Sequence, residues 1–375
     1  MTIFPSPNLG RSPFLRTPFD FIAVQKSPLT VGGVTRWEPD FRASKDGMKW
    51  RKLKAGGDIL QARRYGEVGI FNPQKVLFFK GRWVIVGALN APLPSFQSRA
   101  AVYVRNLAGD WMRADLPNDF ANPNGSGIVD AVVTDDYLIA VGMNGVLFYW
   151  NGVDAWQSRI DLPMGASITT NRHVATVTAT TGGAVVVAGA YSNANSTAGA
   201  LRLISAPSVT GAFTVRSVPS MEGLSLAARG NVLLVASYTS PNALQRITGA
   251  SLSDLSTWSA AGLAVDGALE YLAYNGVRWI SGGGYNKQHF KSANGSAGWS
   301  AVADQALSPW GVTPDERPVV NSMVAAGGKF LAHWGHYVSP NYGGLSLSDD
   351  GENWQRISSA EAGFPGVRYL LGASL

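Results

Sequence analysis

Apolar positions in this chain come in short runs, each turned back on itself by two polar or glycine residues. Residues 76–88 read VLFFKGRWVIVGA. The same outline returns at 131–142 (AVVTDDYLIAVG), 177–190 (VTATTGGAVVVAGA), 226–237 (LAARGNVLLVAS), 272–283 (LAYNGVRWISGG) and 323–334 (MVAAGGKFLAHW). Residues 22–33 (IAVQKSPLTVGG) read as a poorer first copy. Gly-Gly, Gly-Asn and Asn-Gly pairs at the centres supply the positive φ that tight hairpin turns require. Each copy predicts a β-hairpin.

A second signal follows each hairpin: a polar turn, then an aromatic residue. It is sharpest at Ser44, Asp46, Gly47, Trp50 and again at Ser348, Asp350, Gly351, Trp354. Looser copies end at Trp111, Trp156, Phe213, Trp258 and Trp299, with a mean spacing of about 51 residues. Two hairpins per repeat make a four-stranded antiparallel sheet, and such a unit cannot bury both faces alone. The period is that of propeller blades. A sandwich would not need seven similar units, and a solenoid coil is shorter. The expected fold is therefore all-β, a seven-bladed β-propeller of four-stranded antiparallel blades. The C-terminal run VRYLLGASL (367–375) is expected to close it by pairing with the N-terminal blade, so that no sheet edge stays open. Residues 1–19 read as a Pro-rich arm, and 20–375 as a single propeller domain.

The pattern S-x-D-G-x-x-W at Ser44–Trp50 and Ser348–Trp354 resembles the Asp-box of sialidase-like (BNR-repeat) β-propellers, a family with members among phage tail proteins. The resemblance implies a turn between the third and fourth strands of a blade. There the Ser or Asp side chain bonds turn amides, Gly takes the left-handed conformation, and the ring packs between blades. These aspartates are thus structural, and no catalytic residue is assigned. A sialidase would need three arginines around a carboxylate, a Tyr–Glu nucleophile pair and an Asp acid. Arg16-Thr17-Pro18 stands where that family often has its first arginine, in Arg-Ile-Pro. Acids and tyrosines are available at Asp58, Glu67, Asp130, Glu222, Asp266, Glu270, Glu316, Tyr285 and Tyr337, but no spacing pairs them as hydrolysis demands.

Composition narrows the remaining chemistry. Cysteine is absent, so disulfides, thiolate metal sites and a Cys nucleophile are excluded. His333 and His336, three apart, would face opposite sides of a strand and could not share a metal; no metal and no cofactor are expected. Gly282–Gly284 lacks the Lys-Ser/Thr of a phosphate loop. The net charge of +6 is spread thinly, its densest groups being KWRKLK (49–54) and Arg63-Arg64, so no nucleic-acid module is expected. No apolar run is long enough to span a bilayer, and no membrane insertion is expected. Pro5, Pro7, Pro13 and Pro18 break the N-terminus, which does not read as a secretion signal.

Binding is expected instead. Residues 284–292 and 333–344 group Tyr285, His289, Trp334, His336 and Tyr337, which with Arg16 are the candidate ligand-binding residues. The functional expectation is a non-enzymatic propeller, a structural or receptor/glycan-binding component of a phage virion tail. It would be made in the cytoplasm and carried in the virion. Its partners would be other protein subunits, met through the arm, and a surface glycan. The alternatives are a sialidase-type glycoside hydrolase and an intracellular assembly factor with a basic groove at Arg63 and Arg64.

Overall fold

The computed structural model describes residues 19–25, 29–31, 34–36, 40–54, 70–90, 98–117, 127–142, 145–160, 162, 172–180, 183–191, 200–218, 223–229, 232–237, 244–248, 259–263, 271–282, 290–295, 298–302, 319–335, 343–358 and 369–373. Six blades are four-stranded antiparallel sheets, each made of four strands consecutive in the chain. The first comprises Ile70–Phe79, Arg82–Asn90, Ser98–Arg105 and Trp111–Arg113. The second comprises Ile128–Val133, Leu138–Gly142, Leu147–Trp150 and Gln157–Arg159. The third runs through Arg172–Ala179, Val185–Tyr191, Ala200–Ala206 and Thr214–Val218, and the fourth through Gly223–Arg229, Val232–Ser237, Leu244–Thr248 and Ser259–Leu263. Tyr271–Tyr274, Trp279–Gly282, Phe290–Ser292 and Ser300–Ala301 form the fifth. Val319–Ala326, Lys329–Gly335, Gly343–Ser348 and Gln355–Ser358 form the sixth.

The two ends of the chain build a composite sheet in the order Tyr369–Ala373, Phe21–Gln25, Phe41–Ser44, Trp50–Leu53. Its innermost strand, Tyr369–Ala373, lies between the innermost strands of the first and sixth blades, so the ring closes through both termini.

The expectation of a seven-bladed propeller is corrected: the propeller has six blades of the repeated two-hairpin form. The hairpin expected at 22–33 does not form. Phe21–Gln25 pairs with Phe41–Ser44 on one edge and Tyr369–Ala373 on the other, while Leu29–Val31 pairs with Val34–Arg36 in a separate two-stranded sheet. The physical reason lies in the local sequence. Lys26-Ser27-Pro28 carries no Gly or Asn for a tight turn, and Pro28 has no N–H for a ladder. All five residues of Phe21–Gln25 are buried, so this strand needs long partners on both edges. The three-residue strand that follows it in sequence cannot supply one.

The core lies between sheets rather than within them. Phe19, Phe41, Trp83, Tyr103 and Trp111 fill the seam between the composite sheet and the first blade. Phe19 is 2% exposed and stacks on Trp83 at 5.7 Å, so it belongs to this seam. The innermost strands share an irregularity that no spacing announced. A register shift falls at the same place in five blades, between Pro73/Lys75, Ile128/Asp130, Val174/Thr176, Gly223/Ser225 and Val320/Ser322. Such bulges bend a strand and re-aim the side chains beside them.

Candidate functional site

The turns joining first to second strands and third to fourth strands lie on one face of the propeller, because strands alternate in direction. Both full boxes join third to fourth strands. In the first, Asp46 Oδ1 accepts from the N–H groups of Met48 (2.8 Å) and Lys49 (2.9 Å), and Ser44 Oγ accepts from Gly47 N–H (2.9 Å). Trp50 Nε1 then donates to Gly47 O at 2.8 Å, which pins the ring against its own turn. The second box repeats each bond: Asp350 accepts from Glu352 and Asn353 N–H (both 2.8 Å), Ser348 Oγ from Gly351 N–H (2.8 Å), and Gly351 O from Trp354 Nε1 (3.2 Å). Gly351 has φ +72°, and a Cβ there would stand 2.5 Å from Ile280 Cδ1 of the fifth blade. Only glycine meets both demands.

The rings pack backwards, each onto the sheet before its own. Trp50 joins Leu331, Leu345 and Leu347 of the sixth blade, and Trp354 joins Ala273 and Ile280 of the fifth. Trp111 stacks on Phe41 of the composite sheet at 5.3 Å, and Trp156 joins Phe79 and Val84 of the first blade. These box residues are inter-blade pegs. In the first and second blades, Asn takes up turn amides in comparable fashion. Asn151 Oδ1 accepts from Val153 (3.0 Å) and Asp154 (2.9 Å), and Asn106 Oδ1 accepts from Asp110 (2.8 Å). The looser copy at Trp258 lies outside the described residues.

Two side chains clasp neighbouring blades on this face in the same way. Lys80 Nζ donates to Asp136 O (3.2 Å) and Asn151 O (2.9 Å), bridging the first blade to both turns of the second. Asn275 Nδ2 donates to Gly328 O (2.7 Å) and Asp349 O (3.1 Å), bridging the fifth to both turns of the sixth. At the inner edge, Asp130 does comparable work. It accepts from Lys75 Nζ of the first blade (2.5 Å) and from Val177 N–H of the third (3.0 Å). Ser322 Oγ likewise accepts from Leu371 N–H at 3.1 Å. Side chains beside the bulges thus satisfy donors on the next innermost strand, which has no strand beyond it.

The electrostatics follow from these bonds. Burial pushes Asp46 up, but the N–H groups of Lys49 and Met48 and the Ser44 hydroxyl outweigh it and hold the carboxyl below its ordinary value. Asp350 is held lower still: burial raises it, and Asn353, Glu352 and Ser348 overcome that. Glu352 is lowered by Lys291 first and by Arg278 second, both of which it pairs with. A groove of about 460 Å³ opens beside the second box, lined by Lys329, Asp349, Glu352, Asn353, Trp354 and Gln355 among others. Its charges are matched within the protein, Lys329 with Asp349 at 2.5 Å and Glu352 with Lys291 at 2.7 Å.

Of the residues selected for ligand binding, Trp334 lies in the second strand of the sixth blade, paired with Val320 and Gly344. Arg16, Tyr285, His289, His336 and Tyr337 lie outside the described residues, as do Arg63, Arg64, Asp58, Glu67, Glu222, Asp266, Glu270 and Glu316. His333 is 2% exposed in the sixth blade. Among the described residues no group of three or more His, Cys, Asp or Glu side chains could hold a metal ion. Sequence reasoning missed the clasps of Lys80 and Asn275. The residue pairs Lys-Gly and Asn-Gly at hairpin centres mark the turns, but not what their side chains reach.

With strand order and ring closure in place, the class is defined: the chain is an all-β propeller of four-stranded antiparallel blades. No family model matches the sequence, and neither does any curated protein. Among solved structures it is similar to YCF48 bound to a D1 peptide (12% identity, 79% of this chain and 82% of that one, TM-score 0.48). It is similar to a chain of the mitotic checkpoint complex (12%, 78% and 80%, TM-score 0.49). A third is the β-propeller domain of Cps50 (Swd1) from Myceliophteria thermophila (12%, 73% and 82%, TM-score 0.42). These likenesses concern the fold and carry nothing about activity.

Proposed function

We propose that the chain is a non-enzymatic propeller that serves as a structural or recognition component of a larger assembly, a virion tail, meeting protein subunits or a surface glycan. The observation that carries this reading is how five of the described carboxylates are used. Asp46 and Asp350 hold turn amides, Asp130 ties three blades together, and Glu352 and Asp349 face cations. A hydrolytic acid, base or nucleophile needs a carboxyl oxygen free to reach substrate. Here the oxygens of Asp46, Asp130, Asp350 and Glu352 are taken up by turn amides and by contacts between blades. The box-like turns at Ser44–Trp50 and Ser348–Trp354 support kinship with sialidase-like propellers of phage tails, and the net charge of +6 suits an anionic partner surface.

The test compares the intact protein with one lacking residues 1–18, Phe19 being kept because it is core. Light scattering should give a larger mass for the intact protein and a folded, smaller species after trimming. Two monomers would remove the arm from assembly. A fluorogenic sialoside should not be turned over. Hydrolysis that Arg16→Ala abolishes would overturn the reading in favour of a sialidase-type hydrolase.

A further inference from the structure

The seam between the composite sheet and the first blade gathers positive charge and unused donors around one aromatic ring. Phe19 stacks on Trp83 at 5.7 Å with an interplanar angle of 17°. The guanidinium carbons of Arg51, on the outermost strand of the composite sheet, and Arg105, at the end of the first blade's third strand, each lie 5.9 Å from the centroid of that ring. They are therefore no more than twice that distance apart. Among the described residues neither arginine has a carboxylate within ion-pair distance; Asp110 acts on Arg105 only at longer range.

Three N–H donors at this seam are buried and without an acceptor: Arg105 Nε, Trp83 Nε1 and Trp111 Nε1. Trp111 is the cross-strand partner of Arg105, and both tryptophans belong to the same cluster as Phe19. Trp83 and Trp111 are 1% and 0% exposed. A buried donor left unpaired is unfavourable, and more so where charge is involved. Two like charges near one ring add repulsion. Burial and the neighbouring Arg51 accordingly draw Arg105 below its ordinary value. An oxyanion held by the two guanidinium groups would offset their repulsion and give Arg105 an acceptor, since a guanidinium fork matches carboxylate and phosphate oxygens. The N-terminal segment cannot supply it from a side chain: residues 1–18 contain no Asp or Glu.

We propose that this seam is an oxyanion-binding site, in which Arg51 and Arg105 together receive a carboxylate or phosphate group of a ligand. Arg51 is exposed and offers the approach; Arg105 is half-buried and supplies the inner donors. The inference is independent of the assembly reading, since a free anion and a partner's acidic chain present the same group.

The experiment uses the full chain with two probes, inorganic phosphate and an acetylated, amidated tetraglutamate peptide, titrated at ionic strength held constant with sodium chloride. At least one probe should raise the melting temperature and bind by calorimetry. Arg105→Gln or Arg51→Gln should weaken that binding at least about tenfold, the loss of one charge-assisted pair. Response to phosphate but not peptide identifies a free anion as the ligand, and the reverse identifies an acidic chain. A second readout separates binding from structure. Arg51→Gln removes repulsion, so it should melt no lower than the parent without probe, yet lower than the parent with it. Equal response of parent and variants, or a response no larger than that to chloride, overturns the proposal.

Discussion

Asp350 shows what one carboxylate does for this ring. Its oxygens accept two turn N–H groups and the Asn353 side chain, and the resulting turn holds Trp354 against the fifth blade. Its folded-state pKa lies below the unfolded value of about 3.9. The sign follows directly: a depressed carboxylate contributes stability above the unfolded pKa, and that contribution disappears as pH falls through the folded one. Asp350→Asn should therefore be less stable than the parent at pH 7, by about 0.5–2 kcal/mol on the scale of other side chains that cap backbone amides. The gap should shrink as pH drops from about 5 toward 2. Urea unfolding at pH 7, 5 and 3 checks it; a gap that stays constant would mean the charge is not what the turn uses. The box itself was legible from Ser348, Asp350, Gly351 and Trp354 because its bonds are local, spanning two or three residues. The comparable roles of Asn106 and Asn151 were not, because Asn marks turns of many kinds.

At the scale of an element, the hairpins repeat but their turns are individually wired to the neighbouring blade. Asn275 accepts from Val277 and Arg278 N–H with its oxygen and donates with its nitrogen to two carbonyls of the sixth blade. Asn275→Ala loses both sets and should destabilise by about 1–3 kcal/mol. Asn275→Asp keeps the local acceptor but turns a carboxylate oxygen toward Gly328 O and Asp349 O, so it should be worse than alanine at pH 7. Near pH 3 protonation restores a donor, and the order of the two variants should reverse. Guanidinium midpoints at the two pH values decide this. Six of the hairpins read from the sequence appear in the structure, four of them with all their turn residues described. Alternation and turn chemistry are short-range, so they survive without tertiary help. The seventh, at 22–33, failed because the apolar pattern continued while the turn chemistry did not.

For the whole molecule, closure rests on five residue pairs, Phe21↔Ala373 through Gln25↔Tyr369. Removing 369–375 would strip one edge from a wholly buried strand and leave the first and sixth blades without the strand that lies between them. The truncated protein should lose a single sharp melting transition and form large species in light scattering, since open strands template association. A sharp melt and monomeric mass would show that the six consecutive blades stand without closure.

The sequence by itself determined the all-β class, the four-stranded antiparallel unit, the box turns and the identity of the inter-blade pegs. Each depends on residues a few positions apart, whose periodicity and positive-φ demands are visible in one dimension. Tertiary structure alone decided which sheet the N-terminal strand joins, how many blades repeat in full, and where unlike residues from distant blades meet. Arg51 and Arg105 are 54 positions apart, and Phe19 is farther still from Trp83. Nothing in local spacing brings them to one ring; the ring's closure does, because it sets the composite sheet against the first blade.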